Sequence, residues 1–414
     1  MVHNQKTTVL DSFVDPRAPI CYGILKPGEH VSEGIPVIKV KNIIGGRVLE
    51  DDLLKTSLQI HNQYKRAEVN QGDLLLTIRG TTGRVAIVPP SLAGANITQD
   101  TARIRVSSDD DPMYVFYALQ SPSVQQQIDL NTVGQAVKGI NIAEVRKLKI
   151  FHPDASEQKK IVQILSTWDK AITITEQLLA NSQQQKKALM QQLLTGKKRL
   201  LDKNGVRFSG EWKKGKLSEI ANIDSGYAFK STDFTDTEKG IPIIRMSDFK
   251  TGGIDISCAA KVIPEITIGL DRFKLKTGDF VFGMSGSLSN YGWVKEQDLP
   301  CFLNQRVGRI LAKECAVQLF VTYLYLSDKI QQSILDKAAG AAQLNISSTD
   351  LRNTIVNYPS FEEQERIAAV LSSADQEVST LQQKLDALKQ EKKALMQQLL
   401  TGKRRVKIDD KEVA

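Results

Sequence analysis

The sequence predicts an α+β protein in which two mixed α/β domains, related by an internal pseudo-twofold duplication, are separated by a long antiparallel two-helix coiled coil. Three observations carry this prediction. Lys186–Lys197 and Lys392–Lys403 both read KKALMQQLLTGK, 206 positions apart. The stretch leading into each block places apolar residues at alternating steps of four and three, the spacing that holds one helix seam against a partner. The longer stretch before it alternates short apolar runs with Gly, Pro and polar clusters, the pattern of short strands and turns.

The repeat extends well beyond the identical block. At the same offset Ile35-Pro36 meets Ile241-Pro242, Gly72-Asp73 meets Gly278-Asp279, Gln99 meets Gln305, Gly134 meets Gly340, Pro153 meets Pro359 and Glu157-Gln158 meets Glu363-Gln364. The implied organisation is a first domain over 1–153, a helical spacer over 154–204, a second domain over 205–359 and a second spacer over 360–414. In the first domain, strands are expected at Ile35–Ile44, Asp73–Ile78, Arg84–Val88 and Ala102–Val106. A helix follows near Pro112–Leu130, its proline suited to the first turn. The second domain repeats the order with Ile241–Met246, Asp279–Gly283, Gly292–Lys295, Arg309–Ala312 and a helix near Ala316–Lys337.

The spacer helices are read from their seams. The first carries Ile161, Leu165, Trp168, Ile172, Thr175, Leu179, Ser182, Lys186, Leu189 and Leu193. The second carries Ile367, Leu371, Ala374, Val378, Leu381, Leu385, Leu388, Lys392, Leu395 and Leu399 and is the more uniformly apolar. Ser156 is the expected N-cap of the first, and Gly196 and Gly402 are the expected stops. Lys197–Arg199 and Lys403–Arg405 then lie beside the negative dipole ends, where they serve as dipole partners or as contacts to a nucleic-acid backbone. At roughly 1.5 Å per residue each helix is about 60 Å long. Lys186 and Lys392 are the polar register markers of the antiparallel pair; two separate core helices are the alternative.

Composition narrows the function. The 414 residues are 41% hydrophobic and 25% charged, with a mean hydropathy of −0.24, as in globular chains. The amino terminus has no apolar h-region, and the longest apolar run, Val317–Leu326, is interrupted by Gln318 and Thr322. A cytoplasmic protein is therefore expected. Four cysteines without CxxC spacing and four unpaired histidines give no metal-ligand pattern. A net charge of +8 is compatible with a polyanionic partner without requiring one.

Catalytic signatures fail on spacing. Pro153-Asp154 with Glu157-Gln158-Lys159 resembles a PD...ExK nuclease pattern, but only two residues separate the carboxylates and the second copy has Glu365 in place of the lysine. Gly196-Lys197 lacks the upstream glycine of a phosphate-binding loop and ends a helix. The lone Pro-Pro, Pro89-Pro90, lies outside any amino-methyltransferase tetrapeptide. No catalytic residue, metal or cofactor is assigned to this chain.

Polar and basic loops remain. TIRGTTGR, Thr77–Arg84, offers glycine backbone, Thr81 and Thr82 hydroxyls, and Arg79 and Arg84 for a phosphate; it is also compatible with a plain hairpin. Its counterpart, Gly283–Asn290, supplies Ser285, Ser287 and Asn290. Lys39, Lys41 and Asn42 correspond to Arg245, Ser247 and Asp248. Asn96–Gln99 corresponds to Asn304-Gln305-Arg306, and the loop with Lys138 and Asn141 to the one with Gln343 and Asn345. Arg, Lys, Asn and Gln can make bidentate contacts with base edges, although as surface residues they are also common solvated groups. Gln99 and Gln305, shared by both copies, are read as fold-maintaining.

These residues resemble the DNA specificity subunit of type I restriction-modification systems. The likeness rests on GDLLLTIRG and NITQ, on GINIAEVRKLKIFHP running into EQKKIVQIL, on ALMQQLLTGK, and on the second-copy counterparts GDFVFGMSG, LNQR and YPSFEEQERIAAVL. It implies two target recognition domains, each reading one half of a split, asymmetric double-stranded DNA sequence, held apart by the coiled coil. It also implies two methyltransferase subunits that carry S-adenosylmethionine and modify adenine, and optionally endonuclease subunits that use ATP and magnesium. Half-sites about one duplex turn apart lead to an expected spacer of roughly five to eight base pairs. A stand-alone DNA-binding regulator, which would bind tightly without partners, and a structural adaptor are the rival readings.

Overall fold

The structure, a computed structural model, describes residues 7–134, 138–250, 253–286, 290–338, 345 and 347–407. The chain forms two compact units, Met1–Gln177 with Gln383–Ala414, and Leu178–Gln382. Each combines a mixed-sheet domain with part of each of two long helices.

In the first unit a six-stranded sheet runs in the order Cys21–Tyr22, Thr101–Ile104, Leu74–Thr77, Val85–Ile87, Arg47–Val48, Ile43–Ile44. Leu74–Thr77 lies antiparallel to both neighbours and is wholly buried, so its two faces feed two cores. Leu74 and Leu76 pack with Ile104, Tyr114, Ile161 and Leu399. Leu75 faces the other way, onto Ile38, Ile43, Val88 and Ile97. This is the period-two alternation of a strand, and full burial of each such leucine contributes about 2 kcal/mol. A three-stranded sheet joins Leu54–Thr56, Ile35–Ile38 and Asn96–Ile97, the last pair parallel.

The second unit repeats this logic. Ala221–Ser225, Val307–Ala312, Phe280–Gly283 and Tyr291–Trp293 form an antiparallel sheet. Phe280 and Phe282 point to Phe320, Tyr325, Ile367 and Leu193, while Val281 points to Ile244, Leu303 and Val307. Ile241–Ile244 again pairs in parallel with the short strand Phe302–Leu303.

Several expectations are corrected. The first strand ends at Ile38, not Ile44, because a 3-10 turn over Val40–Asn42 follows it. The helix expected over Pro112–Leu130 is two helices, Pro112–Gln120 and Pro122–Leu130. Ser121 stands before Pro122 in extended backbone, as the residue preceding proline prefers, and its hydroxyl caps the second helix by accepting from Val124 N. The second copy breaks at Ser327, between Gln318–Leu326 and Asp328–Ala338. The cap before the first long helix is Asp154, not Ser156: Asp154 Oδ1 accepts from Glu157 N at 2.9 Å and from the Ser156 hydroxyl at 2.6 Å. A full negative charge suits that dipole end better than a hydroxyl.

The long helices, Ala155–Leu193 and Phe361–Leu399, each span 39 residues and pack antiparallel along each other. Within the first unit Lys392 Nζ meets Asp169 Oδ1 at 2.5 Å and Lys389 meets Glu176 at 2.7 Å. Within the second unit Lys186 pairs with Asp375, and the Ser182 hydroxyl donates to Glu377 at 3.0 Å. As one helix number rises, its partner's falls. Ile161, Leu165, Leu193, Ile367, Leu371 and Leu399 are fully buried, Leu179 and Leu385 nearly so, and Trp168, Ile172, Leu189, Val378, Leu381, Leu388 and Leu395 half-buried. Thr175 turns its hydroxyl back onto Ala171 O, so this polar seam residue leaves no unmet group.

The same side-chain lock fastens each domain to its helices. In the first unit Asp169 also accepts from the Tyr117 hydroxyl at 2.6 Å, and buried Glu157 takes a two-pronged contact from Arg405. In the second unit Asp375 accepts from Tyr323 at 2.6 Å, and buried Glu363 takes Arg199 at 2.6 and 2.8 Å. Arg199 and Arg405 therefore serve neither as simple dipole partners nor as free backbone contacts, because each neutralises a carboxylate that would otherwise be buried alone.

Candidate nucleic-acid interface

The candidate surface of the first domain is built where three loops meet. The turn after Leu74–Thr77 is joined to the loop at 138–141: Gly80 N donates to Lys138 O at 3.0 Å, and Arg79 bridges to Gly139. The turn after Asn96–Ile97 closes on the same strand end, with Ile78 N donating to Asp100 O at 2.8 Å. Arg79, Gln99, Asp100, Gly139 and Asn141 consequently line one recess. Leu25, Pro27, Lys39, Lys41, Thr98 and Asp100 line a second. Asp100 belongs to both.

Within this surface Arg79 Nη1 donates to Gln99 Oε1 at 3.2 Å, which orients the guanidinium. Lys41 is exposed and pairs with Asp52 at 2.8 Å. Ion pairs this exposed are worth little, so a phosphate can displace the aspartate. Asn141 uses its carbonyl oxygen to cap Ile142–Arg146.

The other candidates of this domain separate from that group. Asn42 is 3% exposed and its Oδ1 accepts from Lys39 N at 3.1 Å, so it shapes the lysine loop and is not open to a ligand. Thr81, Thr82 and Arg84 line neither recess. Arg84 Nη1 donates to Ile43 O at 3.2 Å, and Gly83 N donates to Thr77 O at 2.9 Å. Gly80 and Gly83 have φ of 74° and 85° and serve the turn. The phosphate cradle expected from their backbone N–H groups is corrected, because both groups are spent inside the domain.

The second domain repeats the backbone and changes the side chains. Met284 N donates to Arg306 O at 2.9 Å, as Ile78 does to Asp100, and Ser285 bridges to Asn345 as Arg79 does to Gly139. Gln305 N donates to Tyr227 O just as Gln99 N donates to Ile24 O, both at 2.9 Å. Arg245 takes the place of Lys39, its backbone N held by the buried Asp248 carboxylate at 2.8 Å. Arg306, Ser247 and Asn345 are exposed, and Ser285 and Asn290 are half-buried. Ser287 and Gln343 lie outside the described residues. Among the described residues no His, Cys, Asp and Glu group could hold a metal ion, and no helix is long and apolar enough to cross a membrane.

Asp100, which lines both recesses, meets Arg306 at the repeat offset, a reversal of charge that is visible in the sequence.

Residues 26–181 and 209–390 each match the sequence profile of the type I restriction modification DNA specificity domain. The chain belongs to this family. It is the DNA specificity subunit of a type I restriction-modification system, a non-catalytic component with two recognition domains and a helix pair. It is 27% identical over 371 residues to the MjaVIII specificity subunit of Methanocaldococcus jannaschii, covering 87% of this chain and 85% of that one. The Escherichia coli EcoBI specificity subunit is 33% identical over 157 residues, 38% of this chain and 33% of its own. In fold, the chain is similar to the S subunit of M. genitalium, with a TM-score of 0.55 at 18% identity over 97% of this chain and 98% of that one. A chain from a structure of type I system assembly and conformational transition gives 0.60 at 17% identity, over 95% and 97%.

Proposed function

We propose that this specificity subunit reads a bipartite, asymmetric DNA sequence, one half-site through each domain, across a fixed spacer that neither domain reads. The observation that carries the reading is the repeated loop framework with unlike side chains upon it: Lys39, Arg79 and Asp100 in one domain meet Arg245, Ser285 and Arg306 in the other. Equal backbones present equal geometry to a duplex, and different donors and acceptors select different base edges. Lys39, Lys41, Arg79, Lys138, Asn141, Arg245, Ser247, Ser285, Asn290, Arg306 and Asn345 are the proposed contacts. The segments 1–153 and 205–359 are proposed as the reading domains, and 154–204 and 360–414 as the spacer that sets the gap.

The chain directs two methyltransferase subunits, which supply S-adenosylmethionine and modify adenine. Endonuclease subunits, where present, supply the site for ATP and magnesium. The modest net charge of +8 supports a shared grip on DNA in which the partners add phosphate contacts. The test is to express the methyltransferase with and without this chain in cells lacking both, and to map adenine methylation. One recurring motif that requires the chain is expected; methylation indifferent to its presence overturns the reading.

A further inference from the structure

Residues 100 and 306 stand at the same place in the two domains. Each follows a residue that bridges to the domain's early segment, Thr98 to Ile24 and Asn304 to Tyr227, and each turn closes by Thr101 N or Val307 N donating back to Thr98 O or Asn304 O. At this shared place one domain carries a carboxylate and the other a guanidinium.

Neither side chain has a structural occupation. No described residue donates to the Asp100 carboxylate or accepts from the Arg306 guanidinium, whereas Asp73 accepts from Arg105 on both carboxylate oxygens and Arg309 pairs with Asp279. Asp100 is half-buried, and the Thr98 hydroxyl in its recess is buried without a partner among the described residues. A carboxylate on a surface meant for phosphates is repelled unless something donates to it. Lys39, Lys41 and Arg79 around the two recesses supply charge for the backbone, which leaves the carboxylate for a base.

We infer that Asp100 and Arg306 are specificity-determining residues of opposite polarity: Asp100 accepts from the N4 amino group of a cytosine, and Arg306 donates to O6 and N7 of a guanine. The inference rests on the functional reading above. A carboxylate carries acceptors alone, and guanine O6 and N7, thymine O4 and adenine N7 all repel it. Cytosine is the base whose major-groove edge shows a donor with no acceptor of its own beside it. Arg306 carries donors alone, and guanine presents the matching pair of acceptors.

The test is methylation, by the assembled complex, of a duplex library randomised at the half-sites, with wild type, Asp100→Ala, Asp100→Asn and Arg306→Ala. Asp100→Ala is expected to relax one cytosine position of one half-site by roughly tenfold or more and to leave the other half-site unchanged. Asp100→Asn, matched in shape, is expected to shift that position toward adenine, whose N6 and N7 suit an amide. Arg306→Ala is expected to relax a guanine in the other half-site. The untouched half-site in each variant reports that the subunit is folded. A wild-type motif that these variants leave unaltered, or weaken equally at every sequence, overturns the inference alone; a wild-type complex without sequence preference overturns the functional reading as well.

Discussion

Glu363 and Arg199 show how much a single residue can hold. The Glu363 side chain is 2% exposed and its charge is met by Arg199, which also donates to Gly210 O at 2.8 Å. Arg199→Ala strands the carboxylate and is expected to destabilise the second unit by about 3 kcal/mol, whereas Arg199→Met with Glu363→Leu is expected to be near neutral. Urea unfolding of the three proteins decides between this and a merely superficial pair, for which all would unfold alike. Asp154 gives a pH-dependent case. The Ser156 hydroxyl, then the Glu157 N–H, hold its carboxyl below the usual carboxylate range. A lowered folded value means that stability is present above the unfolded value of about 3.9 and is lost as pH falls through the folded one. Asp154→Ala is expected to cost about 1 kcal/mol near neutrality, and the gap from wild type is expected to narrow below about pH 4. A gap that stays constant to pH 2 contradicts the cap. The identities of such residues were legible, but their partners were not: Arg405 and Glu157 lie 248 positions apart, and no local pattern joins them.

At the scale of elements, periodicity was the dependable guide. The four-three spacing marked both long helices, because a seam must recur every three or four residues to stay against its partner. Leu165, fully buried, faces both the second helix and the first domain's core, so Leu165→Ala is expected to destabilise the first unit by about 2 to 5 kcal/mol. Hydrogen exchange should then rise across residues 155–177 and 383–399; unchanged protection there contradicts a shared seam. Strand centres were legible from apolar runs flanked by Gly and Asp, but strand ends were not. Asn42 closes a turn through its own side chain within what reads as a continuing strand, and Pro122 splits what reads as one apolar helix. Loop function was the least legible, since Arg79 and Asp100 meet only because three turns far apart in sequence converge.

For the whole molecule, duplication is the central physical fact, because it supplies two alike loop frameworks that carry unlike side chains, the proposed reading surfaces. The helix pair is the proposed ruler between the two reading events. Inserting one helical turn of residues before Thr195 is expected to lengthen the unread spacer by about one base pair and to leave both half-sites as they were; altered half-sites contradict the ruler. The most direct test of two unlike reading domains on one ruler is the shape of the recognised sequence itself, read by single-molecule methylation mapping of DNA modified by the wild-type complex. Two unlike half-sites separated by roughly five to eight unspecified base pairs, about one duplex turn from centre to centre, are expected. A single contiguous motif, or two identical halves, would contradict it.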